Sequence, residues 1–104
     1  MANFLLVYHG GRMPETPEEQ ATVMKAWTDW FGRLGGNLVD GGNPTSQIRT
    51  IASNGSVSDG GSNHATGYSI IKADTIDAAV DLARGCPVLQ GGASVEVAEV
   101  FNVM

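Results

Sequence analysis

The chain has 104 residues, enough for one ordinary domain and too few for two. Six Lys and Arg against eleven Asp and Glu leave a net charge of −5, so the positive field that attaches proteins to phosphate backbones or anionic lipid is missing. Neither nucleic acid nor a membrane is expected as a partner. With 42% hydrophobic and 16% charged residues the composition is that of a packed globule, and fourteen glycines imply many turns or closely approached backbone.

Cys86 is the single cysteine and can form no internal disulfide, the first basic residue is Arg12, and the first apolar run covers only residues 4–8. A membrane span needs about 20 such residues, so a cytoplasmic protein is expected. That first run, Phe-Leu-Leu-Val-Tyr, stops at His9-Gly10-Gly11. Its length and glycine stop predict a central strand, apolar on both faces. Thr16-Pro17-Glu18-Glu19 then combines an N-cap hydroxyl, a proline at the first helical position and a glutamate placed for a capping box. Val23, Trp27, Trp30 and Leu34 line one face of the resulting helix of about five turns, and Gly35-Gly36 ends it.

Residues 37–42 lead into a β-branched, strand-like run at 47–53, and Asn54-Gly55 is the preferred type I′ hairpin pair, with 56–58 as the returning arm. Residues 67–73 read as a further strand. Asp74-Thr75 caps a second helix with the apolar face Ile76, Ala79, Val80 and Ala83, stopped by Gly85 and Pro87. A final strand is expected over 94–103. The order β-α-β-(hairpin)-β-α-β predicts an α+β, ferredoxin-like split βαβ sandwich: an antiparallel-rich sheet with two helices on one face.

Alternation puts Phe4, Leu6 and Tyr8 on one side of the first strand and Leu5 and Val7 on the other. On the last strand Val95, Val97, Phe101 and Val103 oppose Ala98 and Val100. Two helices cover only one face, and the second would leave an apolar patch larger than soluble monomers usually expose. A homodimer packed sheet to sheet is therefore expected, the alternative being a monomer whose loops at 10–14 and 41–46 fold over that face.

The same order of elements resembles the YCII-related, or DGPF-domain, family of small dimeric α+β barrel proteins, over nearly the whole chain. The resemblance rests on the Phe-Leu-Leu-Val-Tyr strand, the aromatic helix from Trp27 to Phe31, Leu38-Val39-Asp40-Gly41-Gly42 and Ile48-Arg49-Thr50. It continues through Val57-Ser58-Asp59-Gly60 before Gly67-Tyr68, Ala78-Ala79, Cys86-Pro87 and Val95-Glu96-Val97. Two departures stand out. Asp59-Gly60 is followed by Gly61-Ser62 where the signature has Pro-Phe, and no histidine lies between Thr16 and Gly36, although Asp40 falls near the aspartate that such a histidine partners in the enzyme-like branch. Trp27 or Trp30 stands in its place.

The candidate chemistry is sparse. His9 and His64 are the only groups that ordinarily titrate near neutrality. The split βαβ order brings the end of the first strand and the start of the 67–73 strand to one sheet edge, where Asp59 is the only carboxylate available as a third metal ligand. Solvated loop histidines are the simpler reading, and no metal is expected. Asp40 is a turn aspartate accepting backbone N–H groups or a pocket carboxylate. Arg49 either pairs with Asp40 or Asp59 or holds an anionic group of a ligand. Trp27 and Trp30 are core residues by spacing, with an aromatic cavity lining as the alternative. Cys86 lacks any neighbour that would activate it, and the glycine pairs match neither phosphate-loop pattern, so no cofactor is called for. The reading is a dimer that binds a small organic ligand, anionic ones included, in a helix-sheet or dimer-interface cleft through His9, Asp40, Arg49, Asp59 or His64. A cofactor-independent acid–base enzyme and a non-catalytic dimerisation module are the alternatives.

Overall fold

The computed structural model describes residues 1–61 and 63–103. Strand β1 (Ala2–His9) alternates as its sequence requires: Phe4, Leu6 and Tyr8 are buried while Leu5, Val7 and His9 are half-buried on the other side. Helix α1 (Pro17–Leu34) begins where Thr16 accepts the Glu19 N–H at 3.1 Å. The Glu19 carboxylate reaches back one residue beyond the cap, accepting from the Glu15 N–H at 3.0 Å. Strand β2 (Leu38–Asp40) follows, then a small hairpin of β3 (Thr50–Ile51) and β4 (Val57–Ser58). The chain continues through β5 (Ala65–Ala73), α2 (Ile76–Ala83), capped by the Thr75 hydroxyl, and β6 (Ser94–Val100).

The main sheet has the order β2-β5-β1-β6 with every pairing antiparallel. With the hairpin set aside, this is the ferredoxin-like order, and β1 is central as expected. Both helices bind one face. Phe4, Leu6, Tyr8 and Ile71 from the sheet meet Trp30 and Leu34 of α1, Ala79 and Ala83 of α2, and Cys86. Trp30 is 1% exposed, and its indole N–H donates to the Leu82 carbonyl at 3.1 Å, tying the two helices together.

Several local expectations change. The 47–53 strand shrinks to Thr50–Ile51, because the chain leaves the main sheet at Thr45, whose N–H donates to the Thr66 carbonyl at 3.0 Å. Beyond that point residues 46–49 have no strand beside them. The hairpin turn is not type I′, since no described residue other than glycine has positive φ. It is a three-residue loop, Ser53-Asn54-Gly55, closed by the Ala52 N–H on the Ser56 carbonyl at 2.8 Å, with Gly55 at φ 90° supplying the left-handed position. The last strand stops at Val100, whose partner is Asn3, because β1 begins only one residue earlier. Phe101 and Val103 are consequently exposed and belong to neither face. Of the predicted α1 face, Trp30 and Leu34 are buried and Trp27 packs partly against the core, but Val23 is exposed.

Gly42 shows how tightly the segment after β2 lies on the sheet. Its φ is +73°, and a Cβ there would stand 1.7 Å from the Tyr68 carbonyl oxygen. Gly42→Ala is therefore expected to lower unfolding free energy by more than about 1 kcal/mol, read as a lower urea midpoint at unchanged slope.

Candidate functional site on the open sheet face

The face of the sheet away from the helices has an apolar centre bordered by polar residues, Asn3 and Lys72 at one end, Asp40 and Glu96 at the flanks and His9 at the other end. Register pairs Leu5 with Ile70 and Val7 with Tyr68 across β1 and β5, and Leu5 with Ala98 and Asn3 with Val100 across β1 and β6. Among the described residues no helix or strand packs over these rows. His9 ends the β1 row. Its ring Nδ1 lies 3.1 Å from the Asn63 carbonyl oxygen, and its Nε2 lies 3.4 Å from a carboxylate oxygen of Glu96, the residue opposite Val7 on β6. That separation suits an ion pair when the ring is protonated, but it is not aligned as a hydrogen bond. Nε2 is buried with no hydrogen-bond partner.

A polar chain runs through the sheet beneath this face. The Tyr8 hydroxyl donates to Ser69 Oγ at 2.7 Å, and Ser69 Oγ donates to the Gly41 carbonyl at 2.7 Å, joining β1, β5 and the loop after β2. Ser69 is wholly buried. Burial pushes the Tyr8 hydroxyl well above its ordinary ionisation range despite the opposing Ser69 bond, and burial likewise raises the Cys86 thiol. Both groups stay neutral in the folded protein. Cys86 is thus placed as an inert core residue.

Of the other predicted site residues, Asp40 stands apart from His9, whereas His64 adjoins Ala65, the residue paired with His9 across the sheet. Asp40 accepts the Gly42 N–H at 2.9 Å, an aspartate turn, and register sets it beside Ile70 on the row of Leu5. The second strand runs parallel to β1 but two places away, and His9 lies four residues further along, about 13 Å. Arg49 and Asp59 face each other across the hairpin at 3.9 Å, both well exposed. His64 turns its Nδ1 to the Ala65 carbonyl at 3.3 Å while His9 is held by Asn63, so the two histidines have different partners. Among the described residues no group of three His, Cys, Asp or Glu is placed to hold a metal. The partner that His9 does have, Glu96, escaped the sequence reading. Alternation along 94–100 sets its side, but only the β1–β6 register puts it next to His9.

The interior between helices and sheet is filled by the aromatic and aliphatic core, with Trp27 edge-on to both Tyr8 and Trp30 at centroid distances of 5.7 and 5.6 Å. Two shallow surface pockets flank α2. One of about 220 Å³ is lined by Trp30, Arg33, Leu34, Asp81, Leu82 and Gly85, and one of about 160 Å³ lies beside Val95 and Val97. Both fall below the roughly 300 Å³ at which small-molecule sites usually begin. No described helix is long and apolar enough to cross a membrane.

No family model matches the chain, and no curated protein matches it in sequence. A solved structure does match in shape: 5-chloro-2-hydroxyhydroquinone dehydrochlorinase (TftG) from Burkholderia phenoliruptrix AC1100, in complex with 2,5-dihydroxybenzoquinone. The TM-score is 0.57 at 17% identity, with 96% of this chain and 94% of that chain covered. At that identity the likeness establishes the fold, a small α+β domain with two helices and an antiparallel sheet.

Two outcomes follow from the buried polar chain. Ser69→Ala, which strands the Tyr8 hydroxyl and the Gly41 carbonyl, should cost about 1–3 kcal/mol in urea unfolding. Raised values for a thiol and a phenol mean that folding stability is complete below the unfolded values and falls as pH climbs past them. Unfolding free energy should therefore decline from about pH 8.5 upward and more steeply above about pH 10, and Tyr8→Phe should flatten the steeper part.

Proposed function

We propose that the chain works as a homodimer that holds a small organic molecule at the open face of its sheet, as a protein of the YCII-related kind. The uncovered apolar face carries this reading. Leu5, Val7, Tyr68, Ile70 and Ala98 form a continuous surface on the side away from the helices, and water-exposed apolar patches of this sort mark interaction sites. The hairpin adds to it. Ile51 and Val57 are paired across β3 and β4 and are 72% and 62% exposed, although a two-stranded hairpin without further burial is marginal in water. The radius of gyration, 15.0 Å, exceeds the roughly 13 Å usual for this length. A second copy packed face to face would cover the sheet and give the hairpins something to pack on.

Between the two binding places expected from sequence, the packed helix-sheet interior favours the dimer-interface cleft. The structural neighbour of the same fold, whose complex holds 2,5-dihydroxybenzoquinone, supports a small cyclic organic ligand. A second reading, an acid–base enzyme, is favoured by one observation, the approach of His9 to Glu96 at 3.4 Å. An imidazole beside a carboxylate is equipped to move a proton.

Native mass spectrometry under gentle and denaturing conditions tests the first reading. The expected species has twice the 10.9 kDa chain mass and retains a nonprotein adduct that denaturation removes. A bare monomer at micromolar concentration would overturn it. Val7→Asp, which sets a charge in the middle of the face, should shift the population to monomer while leaving the far-UV circular dichroism unchanged.

A further inference from the structure

The proton arrangement at His9 has a chemical consequence for what can bind there. A carbonyl oxygen only accepts hydrogen bonds, so the contact of Nδ1 with the Asn63 carbonyl at 3.1 Å requires the hydrogen to sit on Nδ1. In the neutral ring Nε2 is then a bare acceptor. It is buried, it makes no hydrogen bond, and the atom set against it at 3.4 Å is a carboxylate oxygen, also an acceptor. In that neutral tautomer two acceptors face one another with no hydrogen between them. Leaving a buried acceptor unmatched is costly, and a donor supplied from outside would recover that cost.

We propose that His9 Nε2 is the polar anchor of a subsite for a neutral hydroxyl group, with Glu96 as its movable cover, and that the ligand is an uncharged hydroxylated molecule with a flat apolar body. This rests on the open-face reading above and deepens it. The His9 side chain is 15% exposed and fixed by Asn63, whereas the Glu96 side chain is 66% exposed and free to turn outward. With Glu96 turned aside, a ligand O–H can approach Nε2 to about 2.8 Å. The body of such a ligand then lies over the next row of the face, Val7 and Tyr68. Glu96 and the net charge of −5 oppose an anion at this place. A neutral hydrogen-bond donor is favoured here over the anionic ligand that the sequence reading left open.

The test uses the full chain and three probes of similar size: 4-methylphenol, which donates a hydrogen bond; 4-methylanisole, which cannot; and 4-methylbenzoate, which is anionic. Affinities are read by ligand-observed and protein-observed NMR, and the His9 ring nitrogens by their 15N shifts. The expected result is that 4-methylphenol binds about 5- to 10-fold more tightly than 4-methylanisole, with benzoate weakest, and that Nε2 of the free protein has the shift of an unprotonated nitrogen. His9→Phe should retain anisole binding and abolish the phenol preference. Glu96→Gln, whose amide can itself donate to Nε2, should reduce the preference without affecting anisole. Equal binding of phenol and anisole, preferred binding of benzoate, or a protonated Nε2 in the free protein at pH 8 would overturn the His9 assignment and leave the open face as a binding surface. Failure of all three probes to bind would overturn the open-face reading together with it.

Discussion

The molecule depends on the two-residue alternation of its central strand. Phe4, Leu6 and Tyr8 of β1 carry the floor of the helix-covered core, while Leu5, Val7 and His9 of the same strand make the opposite face. A one-residue slip of register would exchange the two sets and expose the core. That slip is resisted on both flanks at once, by eight partners on β5 and seven on β6. Whatever happens on the open face is therefore referred to a strand that the hydrophobic core holds still.

Polar groups refine what apolar packing sets up. Ser69 occupies a core-facing position on β5 where an aliphatic residue would be the ordinary choice, and it is tolerated because both its donor and its acceptor capacity are used, between the Tyr8 hydroxyl and the Gly41 carbonyl. The result fixes the loop after β2 against the sheet, and Gly42 makes the same approach possible at the backbone. His9 differs from Ser69 in this respect. One ring nitrogen is matched, and the other is buried without a hydrogen-bond partner. Among the described residues no other buried side-chain nitrogen or oxygen lacks a partner, and that singles out one end of the open face.

The hairpin and the open face share a property: each exposes apolar area that no other element among the described residues covers. The molecule measures 43 Å in two directions and 18 Å in the third. This flat form has a large surface for its volume, which is costly for a small domain. On the proposed dimer the same area becomes an interface.

How much of this was legible beforehand differs by element. Both helix starts were, because Thr16 with Pro17 and Thr75 with its following turn act through local hydrogen bonds that the chain makes with itself. The centrality of β1, the two helices on one face and the burial of Trp30 followed from periodicity, which is also local. The hairpin's true turn, the early end of β6 and the exposure of Val23 were not, since each depends on where a neighbouring strand or helix happens to end. The candidate site lay mostly out of reach for the same reason. His9 was recognisable as a titratable residue closing an apolar strand, but Glu96 and the Asn63 carbonyl are 87 and 54 positions away in the chain, and only strand register and loop return bring them to its two nitrogens. By itself the sequence determined the fold class, the two amphipathic faces and the shortage of positive charge, all of which arise from composition and short-range spacing. Tertiary structure alone decided which polar atoms meet, because hydrogen-bond partners across a sheet are chosen by register rather than by nearness along the chain.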